Sequence, residues 1–174
     1  MACPKTLTGI GFECKDAVGG IVEAYIAVID DVTTITLTED KAKVGTITMA
    51  DGKKYHTYKF RKQTGSVNST INTDINAGTT WYQTDVVLQF TKMETSKRVE
   101  ISALATGQTS IIVKDSMGKY WLVGTKESPA ELSAGTAATG TAMGDLNGYN
   151  ITLSEMGAAL PLEVDKDIIA GIIS

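Results

Sequence analysis

The chain has 174 residues, a formal net charge of −4 and a pI near 5.0, with 43% apolar and 21% charged residues. That balance describes a globular chain with enough length for one domain and its own core, and excludes a disordered one. There is no basic tail and no uninterrupted Lys/Arg block, which argues against tight nucleic-acid binding, because phosphate neutralisation needs clustered cations.

Threonine is abundant and prolines number only three, so the composition leans towards strands. No window approaches the roughly 18 unbroken apolar residues of a membrane-spanning helix, and no membrane insertion is expected. The start lacks the apolar stretch of a signal peptide, so synthesis and folding in the cytoplasm are expected. Cys3 and Cys14 are near enough in sequence to pair, but in such a chain they fit free thiols. With His56 as the only histidine and no second cysteine pair, neither a zinc site nor a cofactor is expected.

In chain order, residues 1–20 lack periodicity, end in Gly19-Gly20 and read as an N-terminal arm. Ile21 to Ile29 is a near-continuous apolar run, the pattern of a buried strand. Thr33 to Thr38 and Val44 to Met49 are short strand-like runs, and Ala50 to Lys53 signals a turn before a strand from Tyr55 to Phe60.

Residues 64–93 carry the clearest signal. Val67, Ile71 and Ile75, with Ser69 and Thr73 between them, alternate with Asn68, Thr70, Asn72, Asp74 and Asn76. After Ala77-Gly78 the alternation resumes: Tyr82, Thr84, Val86, Leu88 and Phe90 share one face, and Gln83, Asp85, Gln89 and Thr91 the other, with Val87 as an exception. A period of two over this length predicts a long two-faced hairpin.

Thr91 to Glu94 has the form of a capping box and predicts a helix over about 94–106, with Val99, Ala103 and Leu104 on its apolar side and Gly107 as its stop. Gln108 to Lys114 and Lys119 to Gly124 form a second hairpin around Asp115 to Gly118. Residues 126–147, rich in Ser, Ala, Gly and Thr, read as a long loop. Tyr149 to Leu153 and Ala158 to Val164 read as strands, and Lys166 to Ile173 as a short apolar tail. The expected organisation is one domain spanning 1–174.

No nucleophile elbow, P-loop or metalloprotease motif is present, and Gly9 to Phe12 is no dinucleotide fingerprint. His56 lies in an alternating run among lysines and reads as a surface histidine. Asp74 and Asp85 fall on one face, where a carboxylate pair can do acid–base work, but no other catalytic group accompanies them. Asp145 to Gly148 lacks the spacing of a calcium loop and reads as a turn. No catalytic, cofactor or metal residue is expected, and the chain does not read as an enzyme.

The polar hairpin face, by contrast, has a composition with a possible use. Asn68, Thr70, Asn72, Asp74, Gln83, Asp85 and Gln89 include no cation. Such a face either meets bulk solvent or lines a channel for DNA, where cations would hold phosphates and carboxylates repel them.

The order of several segments resembles that of tail-tube-like structural proteins of tailed bacteriophages. The matching residues are Met1-Ala2-Cys3, Cys14 and Asp16 before Gly19-Gly20-Ile21, then Tyr58 to Thr64 and Phe90 to Thr95. They continue through Ser133 to Thr136, Gly140 to Asp145, Asn147-Gly148-Tyr149 and Leu160-Pro161. The resemblance spans nearly the whole chain and is carried by order rather than by one invariant motif. It implies a mainly β fold, a β-sandwich or partly closed barrel with one flanking helix, whose long hairpin joins neighbouring copies into a continuous inner barrel.

It also implies a homo-oligomeric ring of six or twelve copies, placed in the virion beside other tail or connector proteins. Double-stranded DNA would pass through without specific binding, the seven hairpin residues would face the bore, and the arm and 126–147 would contact neighbours. Related folds also serve as single-layer head–tail connector rings. A monomeric β-sandwich for binding or decoration is the third reading.

Overall fold

Two hydrophobic patterns in this chain build two different sheets. The computed structural model describes residues 9–12 and 14–174. In order these form β1 (Ile21–Val28), a 3-10 turn (Ile29–Asp31), β2 (Val32–Leu37), β3 (Lys43–Met49), β4 (His56–Lys59), β5 (Gly65–Asp74) and β6 (Thr79–Thr91). There follow α1 (Thr95–Thr106), β7 (Thr109–Asp115), β8 (Tyr120–Val123), β9 (Glu131–Ala138), β10 (Gly148–Gly157), β11 (Leu162–Val164) and α2 (Lys166–Ile172). The strands make a seven-stranded sheet, ordered β2-β3-β11-β8-β7-β1-β4, and a four-stranded sheet, ordered β5-β6-β10-β9. The fold is thus mainly β and sandwich-like, with α1 at its flank.

β1 and β7 are apolar on both faces because both faces are covered. Ala24 and Ile26 pair with Val113 and Ile111 and join Val86, Leu88, Ile151 and Leu153 in the core between the sheets. Tyr25 and Ile112, one residue out of phase, enter a second core on the far side of the larger sheet. Ile169 and Ile172 of α2 close that second core, where fully buried Tyr55 shares a 2.9 Å hydrogen bond with the Ser110 hydroxyl. Burial pushes the Tyr55 phenol up to about 12.

Several sequence expectations are corrected. Residues 126–147 are not one loop, because Glu131–Ala138 is a strand paired along β10. Backbone hydrogen bonds hold β9 in place, and its Ser, Ala, Gly and Thr side chains leave no apolar alternation to read. The strand expected over Ala158 to Val164 shrinks to Leu162–Val164, while β10 extends to Gly157. The apolar tail is a short helix, α2.

The capping box does not form. Thr91 still belongs to β6, opposite Gly148, and Glu94 becomes the N-cap without a side-chain cap bond. Its carboxylate pairs instead with Lys92 and Lys97. Gly107 does end α1, but in extended rather than left-handed geometry. The helix buries Leu104 and packs Ile101 on the core, whereas Val99 is 56% exposed.

Close packing at the start of β10 requires Gly148, since a Cβ there would lie 2.0 Å from the Phe90 carbonyl oxygen. Residues 9–12 and 14–20 form neither helix nor strand, and Ile10, Phe12 and Cys14 are exposed. The remainder of the expected arm, including Cys3, lies outside the described residues.

The helix orientation is directly testable. Leu104→Ala is expected to cost about 2–4 kcal/mol in urea unfolding, the range for emptying a buried leucine site. Val99→Ser is expected to stay within about 0.5 kcal/mol, as for ordinary surface changes. Equal losses would contradict the orientation.

Candidate functional site

A strand covered on one side only must alternate, and β6 does from Thr84 to Phe90, whereas beyond Val67 the arm of β5 projects past the core with Ser69, Ile71 and Thr73 exposed on its other side. Their register places Asn68 opposite Asp85, Thr70 opposite Gln83, Asn72 opposite Trp81 and Asp74 opposite Thr79. All seven residues singled out from the sequence therefore share one continuous face. Of these, Gln89 lies beyond the start of β5, where its partner is Asn150 of β10.

The face is twice as wide as the hairpin. β10 adds Asn150, Thr152, Ser154 and Met156 opposite Gln89, Val87, Asp85 and Gln83. β9 adds Thr136 and Ala134, then a bulge, then Glu131 opposite Ser154. Hidden in the supposed loop, β9 left this half unread. Trp81 of β6 and Met156 of β10 are the large apolar side chains on the face, near the hairpin's free end. Half-buried Val87, the exception in the alternation, is flanked by Ser66 and Thr152.

A hydrogen-bonded chain crosses the face. Ser133 and Ser154 share a bond of 2.7 Å between hydroxyls, Ser154 donates to Asp85 Oδ1 at 2.5 Å, and Gln83 Nε2 donates to the same oxygen at 3.2 Å. The Asp85 carboxylate is thus an organised acceptor in mid-sheet. Asp74 does different work: its Oδ1 accepts the amides of Asn76 at 2.8 Å and Ala77 at 2.9 Å, building the turn between β5 and β6.

The charge census is one-sided. Sixteen of the chain's residues are Lys or Arg, yet β5, β6, β9 and β10 contain none. Their charged residues are Asp74, Asp85, Glu131 and Glu155. Glu155 points inward, opposite Thr84, and accepts the Gly124 amide at 3.0 Å. Burial raises its pKa above the ordinary 4.5, and the Gly124 bond offsets part of the shift.

This arrangement is poorly suited to acid–base catalysis. Asp74 lies six residues along β5 from Asn68, the partner of Asp85, so the two carboxylates are about 20 Å apart, beyond the working separation of a catalytic pair. His56 is exposed on β4. Among the described residues no group of three His, Cys, Asp or Glu is placed to hold a metal ion, and no helix is long and apolar enough to cross a membrane. Two open grooves each contain a single carboxylate, Glu127 in one and Asp115 in the other.

Set against known proteins, the chain matches no family model, no curated protein and no solved structure. The resemblance to tail-tube-like proteins therefore rests on the residues quoted for it.

Two outcomes follow from this geometry. Thr70→Lys, at an exposed position without a side-chain bond, is expected to leave stability within about 0.5 kcal/mol. Asp74→Lys loses two charge-assisted bonds and is expected to cost about 1–3 kcal/mol in denaturant melts. Glu155 sets a pH dependence: with its folded pKa raised, its contribution is full below pH 4.5 and is lost as pH rises through the folded value. Glu155→Gln stays neutral and keeps a carbonyl for Gly124, so it should be more stable than wild type at about pH 7 but not at about pH 4. The same difference at both pH values would refute that account.

Proposed function

We propose that this protein is a non-enzymatic structural subunit that assembles with copies of itself into a ring or tube, lining a channel for double-stranded DNA in a phage tail. The observation that carries this reading is the outward face of the four-stranded sheet: polar across four strands, acidic where charged, and without a single Lys or Arg. DNA carries one negative charge per about 1.7 Å of axis, so a cationic wall would grip it at every step. A wall of hydroxyls, amides and a few carboxylates wets the channel and repels the phosphates weakly.

The edges of that sheet support the same reading. β5 and β9 are its two outer strands, and among the described residues neither has a strand paired along its outer side. Exposed edges are templates for pairing, and closing sheets into a barrel is the one arrangement that removes them. With β9 of one copy beside β5 of the next, six copies would form a barrel of about 24 strands. At about 4.8 Å per strand and a tilt near 40°, its backbone diameter is roughly 45–50 Å, leaving a bore wider than a DNA duplex. Twelve copies would double it.

Two measurements test the reading. Negative-stain microscopy of purified protein is expected to show rings or tubes with a central channel, whereas a monomer mass at every concentration in sedimentation would overturn it. In assembled particles Thr70→Lys with Thr136→Lys, both exposed on the face, should slow DNA passage and make it salt-dependent. Unchanged ejection by such particles would remove the channel role.

A further inference from the structure

The cations missing from the four-stranded sheet gather along one edge of the other sheet. Residues 53–62 hold five of the chain's sixteen Lys and Arg, with His56 among them, and no Asp or Glu. They span β4, the outer strand beyond β1. Lys53 pairs with Asp31 at 3.3 Å. Lys54, Lys59, Arg61 and Lys62 are exposed and make no ion pair among the described residues. Two nearby acids are engaged elsewhere. Glu23, opposite Lys59, accepts the Tyr25 hydroxyl at 2.7 Å and lies 4.0 Å from Lys114 Nζ, and Glu100 accepts the Tyr58 hydroxyl. Asp51, in the turn before β4, makes no ion pair among the described residues. The other outer strands, β2, β5 and β9, contain no cation at all. Lysines that merely guard against edge-to-edge aggregation are needed on any open edge, so their concentration on one edge sets β4 apart.

This edge already carries an extended segment. Tyr55 donates its amide to the Ile172 carbonyl at 2.8 Å and accepts the Ser174 amide at 3.0 Å, so residues 172–174 lie along it in parallel. The Thr57 hydroxyl donates to the Ser174 carbonyl at 3.3 Å. Backbone groups alternate in direction along an antiparallel pair, and the β1–β4 register has no bulge. With Tyr55 turned away from β1, Thr57 and Lys59 turn away from it as well. Past Ser174 no strand among the described residues lies on that side.

We infer that the open part of β4, from Thr57 onward, is a docking edge for an acidic, extended segment of another protein, which adds to the sheet as a strand. Main-chain bonds to Thr57 and Lys59 set its register, and the four cations without ion pairs select carboxylates over other side chains. A nucleic acid suits the edge less well, because a phosphodiester backbone offers no donors to the strand's carbonyls. The inference does not rest on the channel reading, since β4 belongs to the larger sheet and the candidate bore face to the smaller one.

Fluorescence anisotropy on the full chain tests this with a labelled peptide of about eight residues that alternates Glu with Thr. The peptide should bind, and exchanging its Glu for Lys should weaken binding by about tenfold or more. N-methylation of two successive central nitrogens blocks both edges of the peptide but keeps every carboxylate, and should cost about tenfold as well. Lys59→Glu with Arg61→Glu should weaken binding of the unmodified peptide to the same degree, with thermal melts to confirm folding and Lys59→Gln with Arg61→Gln as the milder pair. Amide exchange at Thr57 and Lys59 should slow when the peptide is bound. An acidic peptide that does not bind, or binds no better than its Lys counterpart, would reduce the cations to an edge guard and overturn the inference. Unchanged affinity after N-methylation, or displacement of the peptide by a DNA duplex at equal charge concentration, would overturn it too.

Discussion

The row of aliphatic side chains between β6 and β10 on one side and β1 and β7 on the other holds this molecule together. Val86, Leu88, Ile151 and Leu153 meet Ala24, Ile26, Ile111 and Val113 there, all fully or almost fully buried. Because the hydrophobic gain scales with apolar area removed from water, this row fixes which face of the smaller sheet turns inward. A one-residue slip of β6 would bring Asp85 and Gln83 into the core and expel Val86 and Leu88, so register is specified strongly.

That constraint leaves the opposite face free of any packing duty within the chain. Its composition is nevertheless far from random, since the cations crowd into the larger sheet, the turns and the helices while the face receives none. A face needed only for solubility would tolerate lysine at most exposed positions. The Ser133–Ser154–Asp85–Gln83 chain adds order to what would otherwise be a set of independent solvated side chains.

The aspartates show how one residue type is put to separate uses. Asp74, Asp115 and Asp145 each accept backbone amides and shape a turn, at the ends of β5, β7 and the β9–β10 loop respectively. Asp115 Oδ2 also receives the Trp121 indole N–H at 2.9 Å, tying the turn to β8. Asp85 alone faces outward from mid-strand, anchored by side chains rather than by a turn. Residue type therefore says little about role until the backbone partners are known.

Much was readable in the amino-acid order alone. The continuous apolar run at Ile21 announced a strand covered on both faces, and the alternation up to Phe90 announced one covered on a single face, as β6 is from Thr84 to Phe90, because side-chain direction repeats every two residues; the outer half of the hairpin, exposed at Ile71 and Ile75, is not covered on either face. All seven face residues came together on that two-residue rule, and the helix after Glu94 and its end at Gly107 were also marked. Tertiary structure decided the rest. Which side of α1 turned inward depended on where the core lay, so Ile101 and Leu104 were buried and Val99 was not. β9 could be found only through its partner, since Gly, Ala, Ser and Thr carry too little apolar contrast to mark a strand, and hydrogen bonds along β10 supply what the side chains do not. The width of the candidate face and its two free edges follow from that pairing, because a strand records its own alternation but not the identity of its neighbours.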